Sequence, residues 1–110
     1  FIVVDNAEIK LNHVLNYPNP FTTNTSFFFE HNQNCNYLDV DIHIYNVSGK
    51  TVKTINRRIH NEGFRSSGIS WDGLDDFGEQ LARGVYLYKL EVTNEQGLSS
   101  SKTETMFLLK

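Results

Sequence analysis

Side chains that could do chemistry are densest in "WDGLDDFGEQ", where Asp72, Asp75, Asp76 and Glu79 fall close together. Carboxylates at this density could hold a hard cation such as calcium, which takes six to eight oxygen ligands. A helix–loop–helix calcium loop needs acids at alternating positions and then a glycine, but Leu74 and Phe77 occupy those places. The residues instead read as Asp-Gly turns whose carboxylates accept backbone N–H groups. "SGKT" at 48–51 ends like a phosphate-binding loop, yet Ile44 stands where that loop requires its first glycine. His13, His31, His43 and His60 have no metal-ligand spacing and are expected to be solvated strand residues. His31 with Cys35 lacks an orienting third group and an oxyanion loop, so a nucleophile–base pair is not expected. No catalytic residue, cofactor or metal site follows from these patterns, and the chain by itself reads as non-enzymatic.

Bulk properties narrow the classes further. At 110 residues the chain fits one domain that can bury about two-thirds of its unfolded surface, enough for a core without metals or disulfides. The lone Cys35 excludes an internal disulfide. A net charge of −3, with no cationic run longer than Arg57–Arg58, argues against nucleic-acid binding. The longest apolar runs, "FFF" and "MFLL", are far too short for a membrane-spanning helix. The opening "FIVVDNAEIKLNHVL" has no cleavage-site pattern, and the missing initiator methionine leads us to expect a fragment or processed piece.

The elements that must position any site are strands. "YLDVDIHIYNV" puts Leu38, Val40, Ile42 and Ile44 on one face and Asp39, Asp41, His43 and Tyr45 on the other, so one face is dry and one wet. "VSGK" then reads as a tight turn with Gly49 at positive φ, and "TVKTINRRI" returns as the second arm. "IKLNHVL", "SFFFEH", "GISWDG", "GVYLYKLEVTN" and "KTETMFLLK" complete seven strands between Gly, Asn and Asp turns. That count predicts an all-β fold, a seven-stranded antiparallel Ig-like β-sandwich without the antibody cysteine pair. Residues 1–14 read as the first strand or a linker from an upstream domain, and 15–110 as the sandwich.

Both prolines of the chain sit in "YPNPF". Pro18 and Pro20 each fix φ and remove a donor, so Tyr17–Pro20 must be extended and poor in ladder hydrogen bonds. Such a segment suits a strand edge or a crossing between sheets, with Tyr17 and Phe21 each expected to place a ring in the end of the core. "FFF" (27–29) and "MFLL" (106–109) are apolar on both faces, so each outer face needs a cover, from the chain's own loops or from another protein. For the closing strand an external partner is expected, through edge pairing and burial of whichever of Met106 and Phe107 faces out.

In order along the chain, "YPNPFTTNTSFFFE", "VDIHIYNVSGKTVKTI", "ISWDGLDDFGEQLARGVYLYKLEV" and "TMFLLK" resemble the C-terminal domain used by the type IX secretion system of Bacteroidetes and its relative, the flagellar hook-cap Ig-like domain. The resemblance covers about residues 15–110. It implies a module at the cell surface that carries its parent protein across the outer membrane and binds a barrel-type shuttle protein there. The family's elements fall on Pro18, Asn19 and Pro20, on Gly49, on Gly84, Val85 and Tyr86, and on Met106, Phe107, Leu108 and Lys110 of the closing strand. "FFFEHNQ" followed by "WDGLDDFG" is most similar to the C-terminal domain of the system's sortase, a gingipain-like cysteine peptidase whose catalytic Cys and His would lie upstream. Cargo domains usually close on a more basic strand than "TETMFLLK", which favours a retained sortase domain over a cleaved signal. The other readings are a carbohydrate-binding or adhesive sandwich and a structural spacer.

Overall fold

The computed structural model describes residues 8–34, 36–60 and 63–109. Seven strands run β1 (Leu11–Tyr17), β2 (Thr25–His31), β3 (Tyr37–Tyr45), β4 (Thr51–His60), β5 (Ile69–Trp71), β6 (Gly84–Thr93) and β7 (Ser99–Leu108). They form two antiparallel sheets, β1-β2-β5 and β4-β3-β6-β7, facing each other across one core. The expected all-β, Ig-like sandwich is what folds. Cys35 and Lys110 lie outside the described residues, as do residues 1–7.

Alternation produces the layers. On β3, Leu38, Val40, Ile42 and Ile44 are buried while Asp39, Asp41, His43 and Tyr45 are only partly so. Burying each of those four contributes about 2 kcal/mol at ~25 cal/mol per Å². On β6, Tyr86, Tyr88, Leu90 and Val92 point inward opposite Ile69, Trp71, Phe27 and Phe29 of the other sheet. The Tyr88 ring meets Phe27 edge-on at 4.8 Å between centroids, the offset geometry that aromatic quadrupoles favour. Trp71 packs between Phe21 and Phe27 and donates its Nε1–H to the Leu74 carbonyl at 2.9 Å, so its one polar atom is satisfied. Tyr86 Oη donates to the Ala82 carbonyl four residues upstream at 2.6 Å, a tyrosine corner that fixes how the chain enters β6.

β1 begins at Leu11, and Ile9 and Leu11 are both in the core, so the sandwich starts ahead of residue 15. A bulge between Asn12 and Leu15 interrupts β1–β2 pairing, with His13 at φ 51° absorbing the extra residue. Phe27 and Phe29 are fully buried, whereas Phe28 faces outward and is half-buried. Its ring lies over Gly68, where a Cβ would meet it at 3.0 Å, so the chain's own loop covers part of that face.

Two expectations are corrected. Phe21 does enter the end of the core, but Tyr17 is 71% exposed, because β1 alternation turns it to the outer face while Asn16 points in. His31 is buried rather than solvated, since β2 alternation puts it on the same face as Phe27 and Phe29. Its Nδ1 accepts the Gln33 N–H at 3.1 Å and its ring packs edge-on against Phe64.

Burial pushes the His31 pKa below its ordinary value of 6.5, with a backbone hydrogen bond at Gly63 opposing the shift. The unfolded chain then binds a proton more readily than the folded one, so this contribution is present above pH 6.5 and is lost as pH falls below it toward the lower folded value. The thermal midpoint of the native chain should therefore fall more between pH 7.5 and 5.5 than that of His31→Gln, and equal slopes would contradict this. The Tyr88 hydroxyl is buried without a hydrogen-bond partner among the described residues. An unpaired buried hydroxyl costs about 1–3 kcal/mol, so Tyr88→Phe should raise the midpoint by a few degrees in calorimetry.

Candidate docking site

The proline segment is where the two sheets are joined. β1 ends at Tyr17 in the three-stranded sheet, and four residues later Phe21 forms a parallel bridge with Leu108 of β7, the edge strand of the other sheet. Phe21 donates to the Phe107 carbonyl at 3.0 Å and accepts from the Leu109 N–H at 2.9 Å. Asn19 extends the same pairing with its side chain. Its Oδ1 accepts the Phe107 N–H at 3.1 Å, and its Nδ2 donates to the Thr105 carbonyl at 3.4 Å. The Pro18 carbonyl is held in turn by the Thr25 hydroxyl at 2.8 Å, and buried Asn16 donates to Thr25 Oγ1 at 3.2 Å. The Tyr17–Pro18 and Asn19–Pro20 peptide bonds are cis.

This pairing brings three of the sequence elements together. Gly84 lies opposite Leu108, Val85 opposite Phe107 and Tyr86 opposite Met106, with Asn19–Phe21 along the far side of β7. Within these elements the side chains divide by face. Tyr86, Met106 and Leu108 point into the core, so their surface role is limited to holding the strands. Of Met106 and Phe107, it is Phe107 that faces out, 43% exposed and paired across the ladder with exposed Val85. Exposed Leu87 continues that face on β6 and exposed Leu109 follows β7, while Pro18 and Pro20 are exposed beside them. Gly49 is apart from this group. It sits in the β3–β4 turn at φ 87°, a left-handed conformation that glycine adopts without strain, and donates to the Asn46 carbonyl at 2.9 Å. The turn is at the same end of the sheet, but β4 is separated from β7 by two strands.

The outer edge of β7 is thus divided. From Thr105 to Leu109 it is taken by Asn19 and Phe21, which corrects the expectation of free edge pairing at the end of the strand. From Ser99 to Glu104 it has no neighbouring strand among the described residues, and its side chains are polar or charged, the usual protection of an edge. What the C-terminal end offers a partner is therefore side chains.

The acidic loop is built as turns. Asp75 Oδ1 accepts the N–H groups of Phe77 and Glu79, both at 2.9 Å, and Asp72 Oδ1 that of Leu74 at 3.1 Å. Asp76 Oδ1 accepts the Thr54 N–H, and its own N–H donates to Val52, tying the loop to the edge of β4. Among the described residues no three His, Asp or Glu side chains converge as a metal set. A few other charges are paired on the surface. Arg58 grips Asp39 with two hydrogen bonds at 2.8 and 3.1 Å and lies 3.9 Å above the Tyr37 ring, which holds the Asp39 carboxyl below its usual range.

The family model of the FlgD Ig-like domain matches residues 19–96, more than half of the chain. The chain belongs to this family. Among solved structures it is similar to dimeric latent PorU from Porphyromonas gingivalis, with a TM-score of 0.80 and 25% sequence identity over 97% of this chain. PorU is the type IX sortase, so the resemblance read from the motifs is borne out. The chain spans 10% of that PorU chain. No curated protein matches it.

Asn16 and Thr25, which brace the proline segment, were not legible in advance. A polar residue inside an otherwise amphipathic strand is the one signal that could have pointed to Asn16. The Asn19 clamp is testable. Asn19→Ala should leave the fold intact, speed hydrogen exchange at Phe107 about tenfold and cost about 1 kcal/mol in urea titration, in line with the loss of modest exposed hydrogen bonds. Unchanged exchange at Phe107 would show that Phe21 alone holds the strand.

Proposed function

We propose that this domain is the non-catalytic docking and sorting module of a type IX-exported protein, and that it holds its parent at the cell surface by binding an outer-membrane β-barrel shuttle protein. The contact would be the outward face of β6 and β7, with Phe107 and Val85 at its centre and Leu87 and Leu109 beside them. The observation that carries this reading is the fold match to PorU over 97% of the chain, together with an apolar face at the C-terminal strand that no described element covers. Contiguous exposed apolar side chains mark interaction surfaces, whereas singly scattered ones are ordinary. As the match spans a tenth of the PorU chain, cysteine-peptidase chemistry would belong to other parts of the parent. The retained sortase domain is favoured over a cleaved cargo signal by the PorU match and by "TETMFLLK", in which Glu104 and Lys110 cancel and which is therefore not basic.

Deleting residues 106–110 would not test this cleanly, because Met106 and Leu108 are core residues. Phe107→Ser with Leu109→Ser changes exposed positions only. A reporter carrying the native domain should reach the surface of a type IX-competent bacterium and stay uncleaved. The double variant should fold by circular dichroism yet be delivered at least tenfold less, since losing burial of one large side chain removes about 2 kcal/mol, roughly thirtyfold in affinity. Equal delivery of both would reject this face, and no delivery by the native domain would reject the sorting role and favour an adhesive or spacer module.

A further inference from the structure

Among the described residues, the opposite sheet carries a second apolar surface that is only partly covered. On the outer face of β1 and β2, Leu15 stands directly across from Phe28, and Tyr17 lies one pleat further along. These three line a groove of about 490 Å³ whose far end is polar: Glu30 accepts from Arg65 at 2.9 and 3.2 Å and is hydrogen-bonded to His13 Nδ1 at 2.8 Å. Leu15 is 45% and Tyr17 71% exposed, in contrast to Phe28, which Gly68 and its loop partly cover. An aromatic and aliphatic centre with an arginine at the rim is the composition of an interface.

We propose that this groove seats the adjoining upstream domain of the same polypeptide. The inference rests on the reading above in placing the domain at the C-terminal end of a longer chain, as in the tenfold longer PorU chain that it matches. The polypeptide would enter the sandwich through β1, on whose outer face the groove lies. At about 3.3 Å per residue, the 14 residue steps from Phe1 to Leu15 span at most roughly 46 Å, so a domain tethered ahead of them stays within reach of the groove. Three large side chains are too few to retain a freely diffusing protein, which needs a larger patch. A short tether raises the effective concentration to the millimolar range, where a patch of this size suffices. The groove and the Phe107 face belong to different sheets, so the domain can hold its parent on one side and the barrel protein on the other.

Hydroxyl-radical footprinting of Tyr17 tests the proposal, with Phe77, 89% exposed on the β5–β6 loop, as internal reference. Oxidation of Tyr17 should be at least fivefold lower in the full-length parent polypeptide than in the 110-residue chain, independent of protein concentration, and Leu15→Ser in the parent should restore it. Equal oxidation in the two chains overturns the proposal. So does protection that grows with concentration, which would mean a second copy, or protection of the 110-residue chain by added oligosaccharide. Surface delivery separates this from the docking reading: a delivered parent with Tyr17 fully reactive overturns the groove's occupant alone, while an undelivered parent with Tyr17 protected supports it.

Discussion

The organisation of this domain's C-terminal end depends on one constraint: two prolines leave Tyr17–Pro20 unable to run as an ordinary strand, so the chain crosses from one sheet to the other there. Having crossed, it places Asn19 and Phe21 against the edge of β7. Without that crossing the last strand would be held from one side only, by β6. With it, Thr105–Leu108 is flanked along both edges, and the alternation of Met106, Phe107 and Leu108 is pinned in register. A slip of one residue would turn Phe107 into the core and Met106 and Leu108 out of it. The proline segment therefore decides which residues of the closing strand meet solvent.

The means of recognition follows from the same geometry. A strand edge already occupied cannot accept a further strand, so backbone augmentation is closed at Thr105–Leu109 and contact falls to the outward side chains. The sandwich is correspondingly two-sided, with Phe107 and Val85 on one outer face and Leu15, Tyr17 and Phe28 on the other. In the proposed docking role, one face would grip the carrier and the other would hold the parent.

Strand period and turn residues made most of the fold legible. The alternation in "YLDVDIHIY" needs no tertiary information, and Gly49 announces a left-handed turn by its type. "YPNPF" was readable as a crossing because proline chemistry is local. The failures are equally physical. Whether Tyr17 or Asn16 points inward is fixed by the phase of β1 after the bulge at His13, and nothing in the residue types marks that extra residue. An aromatic next to an asparagine is a poor guess for the exposed one. His31 is buried because it continues the phase of Phe27 and Phe29, and its donor from Gln33 lies in a loop no periodicity describes. The outward face of β7 could be narrowed to Met106 or Phe107, but only the register with Val85 and Tyr86 chooses between them.

The most direct measurement is site-specific photo-crosslinking in living type IX-competent cells, with benzoylphenylalanine placed at Phe107 and, separately, at Phe77. Both side chains are solvent-exposed, but Phe77 lies on the acidic loop away from the β6–β7 face. The account predicts a crosslink from position 107 to an outer-membrane β-barrel protein and none from position 77. The same barrel product from both positions, or from 77 alone, would contradict it.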